Sequence, residues 1–87
     1  MAQELQLELV TPQGRVYTGM VTGVQVPGTE GGFEILFNHA PIISTLGEGR
    51  VRITAHEQDA SYFDITGGVV EVMQNQVVVM AEKAEPA

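Results

Sequence analysis

Short alternations of apolar and polar residues, each ended by a turn signal, run through almost the whole chain and constrain its fold more than any other feature. A period of two puts successive side chains on opposite faces of a strand. Leu5, Leu7 and Leu9 share one phase, with Gln6 and Glu8 opposite. Met20, Val24 and Val26 share another, broken at Thr22. Val51, Ile53 and Ala55 face one way while Arg50, Arg52, Thr54 and His56 face the other, and Phe63 and Ile65 alternate with Tyr62, Asp64 and Thr66. Val, Ile and Thr supply 24 of the 87 residues, and β-branched side chains favour a pleated sheet over a helix. No segment sustains the three-and-four spacing of an amphipathic helix.

Turn signals separate these runs at Thr11-Pro12-Gln13-Gly14, Pro27-Gly28-Thr29-Glu30-Gly31-Gly32, Leu46-Gly47-Glu48-Gly49, Glu57-Gln58-Asp59, Gly67-Gly68 and Gln74-Asn75-Gln76. Short strands with regular turns predict an all-β domain over 1–87, a flattened sandwich or closed barrel of roughly eight to ten strands. The clearest hairpin joins Val69–Met73 to Val77–Ala81, and its Val-rich run predicts burial on both faces. Only the tail Glu82-Lys83-Ala84-Glu85-Pro86-Ala87 has helix-like composition, with Pro86 set against a long helix.

Composition removes several function classes. Four Lys/Arg against eleven Asp/Glu give a net charge of −7, the wrong sign for gripping nucleic acid or an anionic membrane face. Without cysteine there are no disulfides, thiolate catalysis or Cys-ligated metals. The start MAQELQLELV lacks the basic region and long apolar run of a secretory signal, and the longest apolar stretch, Val77 to Ala81, is far short of a membrane span. A soluble, acidic, single-domain protein is expected.

No motif supplies a catalytic constellation. His39 and His56 lack the paired spacing of metal ligands, so no metal site is expected. His56 reads as a solvated surface side chain. His39 sits in the rigid Asn38-His39-Ala40-Pro41 step, as a contact residue or a loop hydrogen-bonder. Ser44 and Ser61 lack the Gly-x-Ser-x-Gly context of a hydrolase nucleophile. Glu30 and Glu34 are close in sequence, yet acidic loop residues are usually solvated rather than paired for glycoside chemistry. The Pro27–Gly32 loop resembles a phosphate cradle but lacks the following Lys and Ser/Thr, and reads as a turn needing positive φ. A sandwich without a catalytic constellation points to binding or assembly.

Assembly is favoured by an excess of apolar residues around one loop: Phe33, Ile35, Leu36 and Phe37, then His39-Ala40-Pro41, then Ile42 and Ile43. Ile35 and Leu36 are assigned to the core. Phe37, Pro41 and one of the two Ile residues are expected to face a partner, since apolar patches rimmed by polar groups mark interfaces.

These residues also carry a resemblance. The run Val24-Gln25-Val26-Pro27-Gly28-Thr29-Glu30-Gly31, then Ile35-Leu36 with His39-Ala40-Pro41-Ile42-Ile43-Ser44, then Gly49, Val51 and Ile53 is similar to the N-terminal domain of the epsilon subunit of F-type ATP synthase. Phe63-x-Ile65-x-Gly67-Gly68-Val69-Val70-Glu71-Val72 and Asn75-x-Val77-x-Val79-x-Ala81 follow in the same order, so the likeness covers essentially the whole chain. It implies a flattened sandwich of about ten strands. It implies a non-catalytic, cofactor-free rotor subunit of the central stalk, peripheral on the cytoplasmic face of the inner membrane. There the domain would join the gamma subunit to the polar loops of the c-ring and couple ion translocation to ATP synthesis.

The resemblance places a gamma-subunit contact at Thr11, His39, Ala40, Pro41, Ile42 and Ser44, with Thr11 on the same side as the His39–Ser44 stretch. It places a c-ring contact at Thr29, Glu30, Gly31, Gly32 and Glu34. This chain departs from the family's usual pattern at Gly32 and Glu34, where an acidic residue and a glycine are usual, and at Phe37-Asn38, which replaces a common Pro-Gly. Family members usually continue into a C-terminal helical hairpin. This chain stops where it would begin, so a naturally short form that binds no nucleotide is expected. Two other readings are a free-standing sandwich that binds a ligand or peptide and a small hydrolase using His39 or His56.

Overall fold

The computed structural model describes residues 3–56 and 60–87. The turn expected at Glu57-Gln58-Asp59 lies outside them. Ten strands follow in order: β1 (Leu5–Thr11), β2 (Gly14–Val21), β3 (Gly23–Val26), β4 (Phe33–Leu36), β5 (Ile42–Leu46), β6 (Gly49–Thr54), β7 (Ser61–Ile65), β8 (Gly68–Met73), β9 (Gln76–Ala81) and β10 (Ala84–Pro86). They form two five-stranded sheets, β2-β1-β9-β8-β5 and β10-β7-β6-β3-β4. All pairings are antiparallel except β1 with β9. The all-β sandwich expected from the alternation is what forms.

The alternating phases decide what is buried. Leu5, Leu7, Leu9, Val51, Ile53 and Ile65 are essentially sealed from water between the sheets, with Val24, Val26, Val70, Val72, Val77 and Val79. Each contributes about 1.5–3 kcal/mol by leaving water, and among the described residues no polar side chain is buried with them. Three sequence expectations are corrected. Met20 is 46% exposed and Val21 takes the inward place, because Met20 pairs with Gln6 on the outward row of the first sheet. The chain changes sheets at Thr22, whose N–H and hydroxyl both donate to the Thr54 carbonyl, so side-chain parity is not carried across. Leu36 is 50% exposed rather than core: Ile35 takes the inward phase, leaving Leu36 outward beside Gly23. The β8–β9 hairpin is buried on one face only, with Met73 and Met80 exposed on the other. The tail, helix-like in composition only, forms a strand. β10 pairs with β7, and Pro86 is tolerated because β10 is a sheet edge, where a missing N–H breaks no ladder.

Tight turns fix the register. Gln74 and Asn75 both have positive φ, 50° and 62°, the left-handed pair that matches the twist of a two-residue hairpin. At the entry to β8, a Cβ on Gly68 would lie 2.1 Å from the Met80 carbonyl oxygen, so only glycine lets the two backbones approach.

Candidate functional site

The segment from Leu36 to Ile42 carries the chain from one sheet to the other, and local bonds make it stiff. The His39 N–H donates to the Leu36 carbonyl at 3.0 Å, closing a turn. Asn38 sits at φ 65°, and asparagine is among the few side chains that tolerate left-handed backbone. Its N–H donates to the Asn75 Oδ1 at 2.6 Å, while the Asn75 Nδ2 donates to the Asn38 Oδ1 at 3.1 Å. The His39 ring donates from Nδ1 to the Ala40 carbonyl at 2.7 Å, so it is a loop hydrogen-bonder. Pro41 is exposed. The two following isoleucines divide by parity: Ile42 packs partly against the core, whereas Ile43 is 74% exposed.

The second predicted loop is fastened to β5. The Thr29 N–H donates to the Thr45 carbonyl at 3.1 Å, and the two hydroxyls lie 2.8 Å apart. The Gly47 N–H donates to the Pro27 carbonyl at 2.8 Å, and Gly28 bridges Leu46, so this segment covers the free edge of β5. Gly28 is required by space: a Cβ would meet the Gly31 carbonyl oxygen at 2.6 Å. Gly31 has φ 127°, the positive value expected of this turn. Glu30, Gly31 and Gly32 are left exposed at its tip.

Ile43 joins the two sets. It borders a hollow of about 300 Å³ shared with Pro41, Ile42, Glu71, Val72 and Met73. It also borders one of about 430 Å³ shared with Thr29, Glu30, Phe33, Ser44 and Thr45. Behind it runs the outer face of the first sheet, where register aligns Ile43, Glu71, Val78 and Glu8 in one row and Thr45, Val69, Met80 and Val10 in the next. The face is apolar, with carboxylates interspersed.

Two expected positions fall elsewhere. β1 and β5 run in the same direction across the sheet, so Thr11, at the end of β1, lies at the Leu46 end. The His39–Pro41 step precedes the opposite end of β5, so Thr11 is not on its side. Glu34 pairs with Gln25 on the outward row of the second sheet, apart from the Thr29–Gly31 tip. Of the two isoleucines, one of which was expected to face a partner, Ile43 is the outward one and Ile42, expected in the contact set, turns inward. Strand parity from the buried Leu46 backward, two residues at a time through Ser44 to Ile42, was the signal available.

The outer face of the second sheet is mainly polar, apart from Leu36 and Tyr62. Arg50 pairs with Asp64 at 2.9 Å and its guanidinium lies 5.8 Å from the Tyr62 ring centre. The hydrogen bond from Arg50, with its charge, holds the Asp64 carboxyl below its usual range despite slight desolvation. A broad open trough of about 670 Å³ there is lined by charged side chains including Glu48, Arg50, Asp64, Lys83 and Glu85. His56 pairs with Glu4 at the surface. Neither Ser44 nor Ser61 is hydrogen-bonded to a histidine, and no three His, Cys, Asp or Glu side chains gather to hold a metal among the described residues.

Comparison with known proteins agrees with this architecture. The sequence model of the family described as "ATP synthase, Delta/Epsilon chain, beta-sandwich domain" matches residues 4–87. The chain belongs to this family. It is 42% identical to an ATP synthase epsilon chain of Salinibacter ruber, with all of this chain and 64% of that protein covered. It is 38% identical to one of Chlorobium limicola, with 88% of each covered. The chain thus spans a little under two thirds of the Salinibacter protein. In fold, it superposes on a chain of the Euglena gracilis mitochondrial ATP synthase, solved as OSCP/F1/c-ring, with a TM-score of 0.91 at 18% identity, covering 99% of this chain and 55% of that one. A chain of the Tetrahymena thermophila central stalk and c-ring gives 0.78 at 19% identity, covering 95% and 66%.

Proposed function

We propose that this chain is a non-catalytic rotor subunit of an F-type ATP synthase, joining the gamma subunit to the c-ring and coupling ion translocation to ATP synthesis on the cytoplasmic face of the membrane. The observation that carries this reading is the exposure of Ile43 between two loops that are both pinned in place. On one side stands the Asn38–Pro41 step, bonded to the β8–β9 turn, and on the other the Thr29–Gly31 tip, bonded to Thr45. A rotor joint must transmit torque without yielding, and close-packed sheets with short, internally bonded turns have low compressibility. An apolar contact at Ile43 and Pro41 suits a stable protein partner, whereas the polar tip at Thr29, Glu30 and Gly31 suits the polar loops of a ring. His39, Ala40, Ser44 and Ile42 support the first contact from the same strand and loop. The Gly32 departure leaves Glu30 as the exposed carboxylate at the tip.

Reconstitution tests the reading. Adding the chain to an ATP synthase stripped of its epsilon subunit is expected to restore ion-driven ATP synthesis. A folded chain that neither joins the complex nor restores synthesis would contradict it and return attention to a free-standing binding module.

A further inference from the structure

Among the described residues, the Asn38–Asn75 pair is the one hydrogen-bonded cross-link between the proposed gamma-facing loop and the rest of the sandwich that is made by side chains rather than by strand ladders. Each partner sits at a left-handed backbone position, and each is the second of the two central residues of its own turn. The orientation of the Asn75 amide is settled by its partner: the Asn38 N–H can only donate, so Oδ1 must face it, which turns Nδ2 toward the Asn38 Oδ1. Asn75 is anchored in turn, because its own carbonyl accepts the Gln6 N–H at 2.9 Å. One residue therefore links β1, the β8–β9 turn and the loop that leads into β5.

We propose that Asn75 is a positioning residue, whose side chain holds the Phe37–Pro41 loop in the shape presented to the gamma subunit. This rests on the gamma-contact reading above. Glycine at position 38 supplies the left-handed backbone but no side chain, so in a chain with asparagine there the loop gains a second bond across the gap. Without the clasp, the loop keeps its own internal bonds, the His39 N–H on the Leu36 carbonyl and the His39 Nδ1 on the Ala40 carbonyl. Binding would then have to order the loop, and ordering opposes affinity.

The test separates the clasp from the fold and from the partner. Asn75→Gly keeps the left-handed turn and removes the side chain, and Asn75→Asp keeps an acceptor for the Asn38 N–H. Hydrogen exchange of the free chain, read residue by residue by NMR, is expected to accelerate at the Asn38 amide in Asn75→Gly while core amides of β8 and β9 stay protected. Affinity for purified gamma subunit is expected to fall about fivefold to tenfold, the scale of one or two surface hydrogen bonds, with Asn75→Asp close to wild type in both readouts. Unchanged exchange at Asn38 together with unchanged affinity in Asn75→Gly would overturn the clasp. Failure of the wild-type chain itself to bind gamma would instead overturn the partner reading on which the proposal rests.

Discussion

Single residues set the backbone geometry of this sandwich at a few crowded points. Gly68 is the sharpest, with no room for a Cβ against the Met80 carbonyl. Gly68→Ala is expected to cost at least about 2 kcal/mol, read as a fall in the urea midpoint, and a loss below about 0.5 kcal/mol would contradict the contact. Asn38 illustrates the milder case. Its φ of 65° is open to asparagine and glycine, so Asn38→Ala should cost about 1 kcal/mol more than Asn38→Gly in the same assay. Asp64 offers a pH-dependent term. Its carboxyl is depressed by the Arg50 hydrogen bond, so folding favours the ionised form. That contribution is fully present above the unfolded carboxylate value, about pH 4, and disappears as pH falls through the lower folded value. The stability gap between wild type and Asp64→Asn should therefore narrow on acidification from neutral pH to about pH 3, and a gap independent of pH would exclude the pair as its cause.

At the scale of elements, what could be read from the sequence was parity within a strand, and what could not was parity across a crossing. Leu5, Leu7 and Leu9 were assignable because they lie on one strand, and all are buried. Met20 was misplaced because Thr22 carries the chain between sheets, resetting the phase. Leu36 was misplaced because four-residue β4 is too short for its phase to be counted, and the strand at Ala84–Pro86 could not be read from composition because it forms only where β7 offers an edge to pair with. The candidate site shows the same division. The loops were legible as turns, but Thr11 was put on the wrong side because strand direction is a property of the assembled sheet. On β5 the outcome is a sharp pair of expectations. Ile42→Asp should lower stability by several kcal/mol by forcing a charge toward the core, seen as a lower thermal midpoint. Ile43→Asp should leave the midpoint nearly unchanged, because Ile43 is already 74% exposed. A comparable loss in both would mean that β5 is not phased as described.

The whole molecule is a slab of 35 × 25 × 22 Å whose two sheets differ in character. The outer face of the first carries Met73, Met80 and Ile43 among carboxylates, while the outer face of the second carries Arg50, Arg52, Asp64 and Glu85. With a net charge of −7, the molecule is more suited to a partner with basic groups around an apolar centre than to nucleic acid. The proposed role follows from that asymmetry: one apolar, pinned edge for a tight protein joint and one polar tip beside it for a ring. The most direct measurement is calorimetric titration of the chain into purified gamma subunit, run in parallel with Ile43→Asp. Saturable one-to-one binding is expected of the wild-type chain, lost in Ile43→Asp while its circular dichroism and thermal midpoint stay as in wild type. Equal binding by both would contradict the placement of the joint at Ile43, and no binding by a well-folded wild-type chain would contradict the rotor role itself.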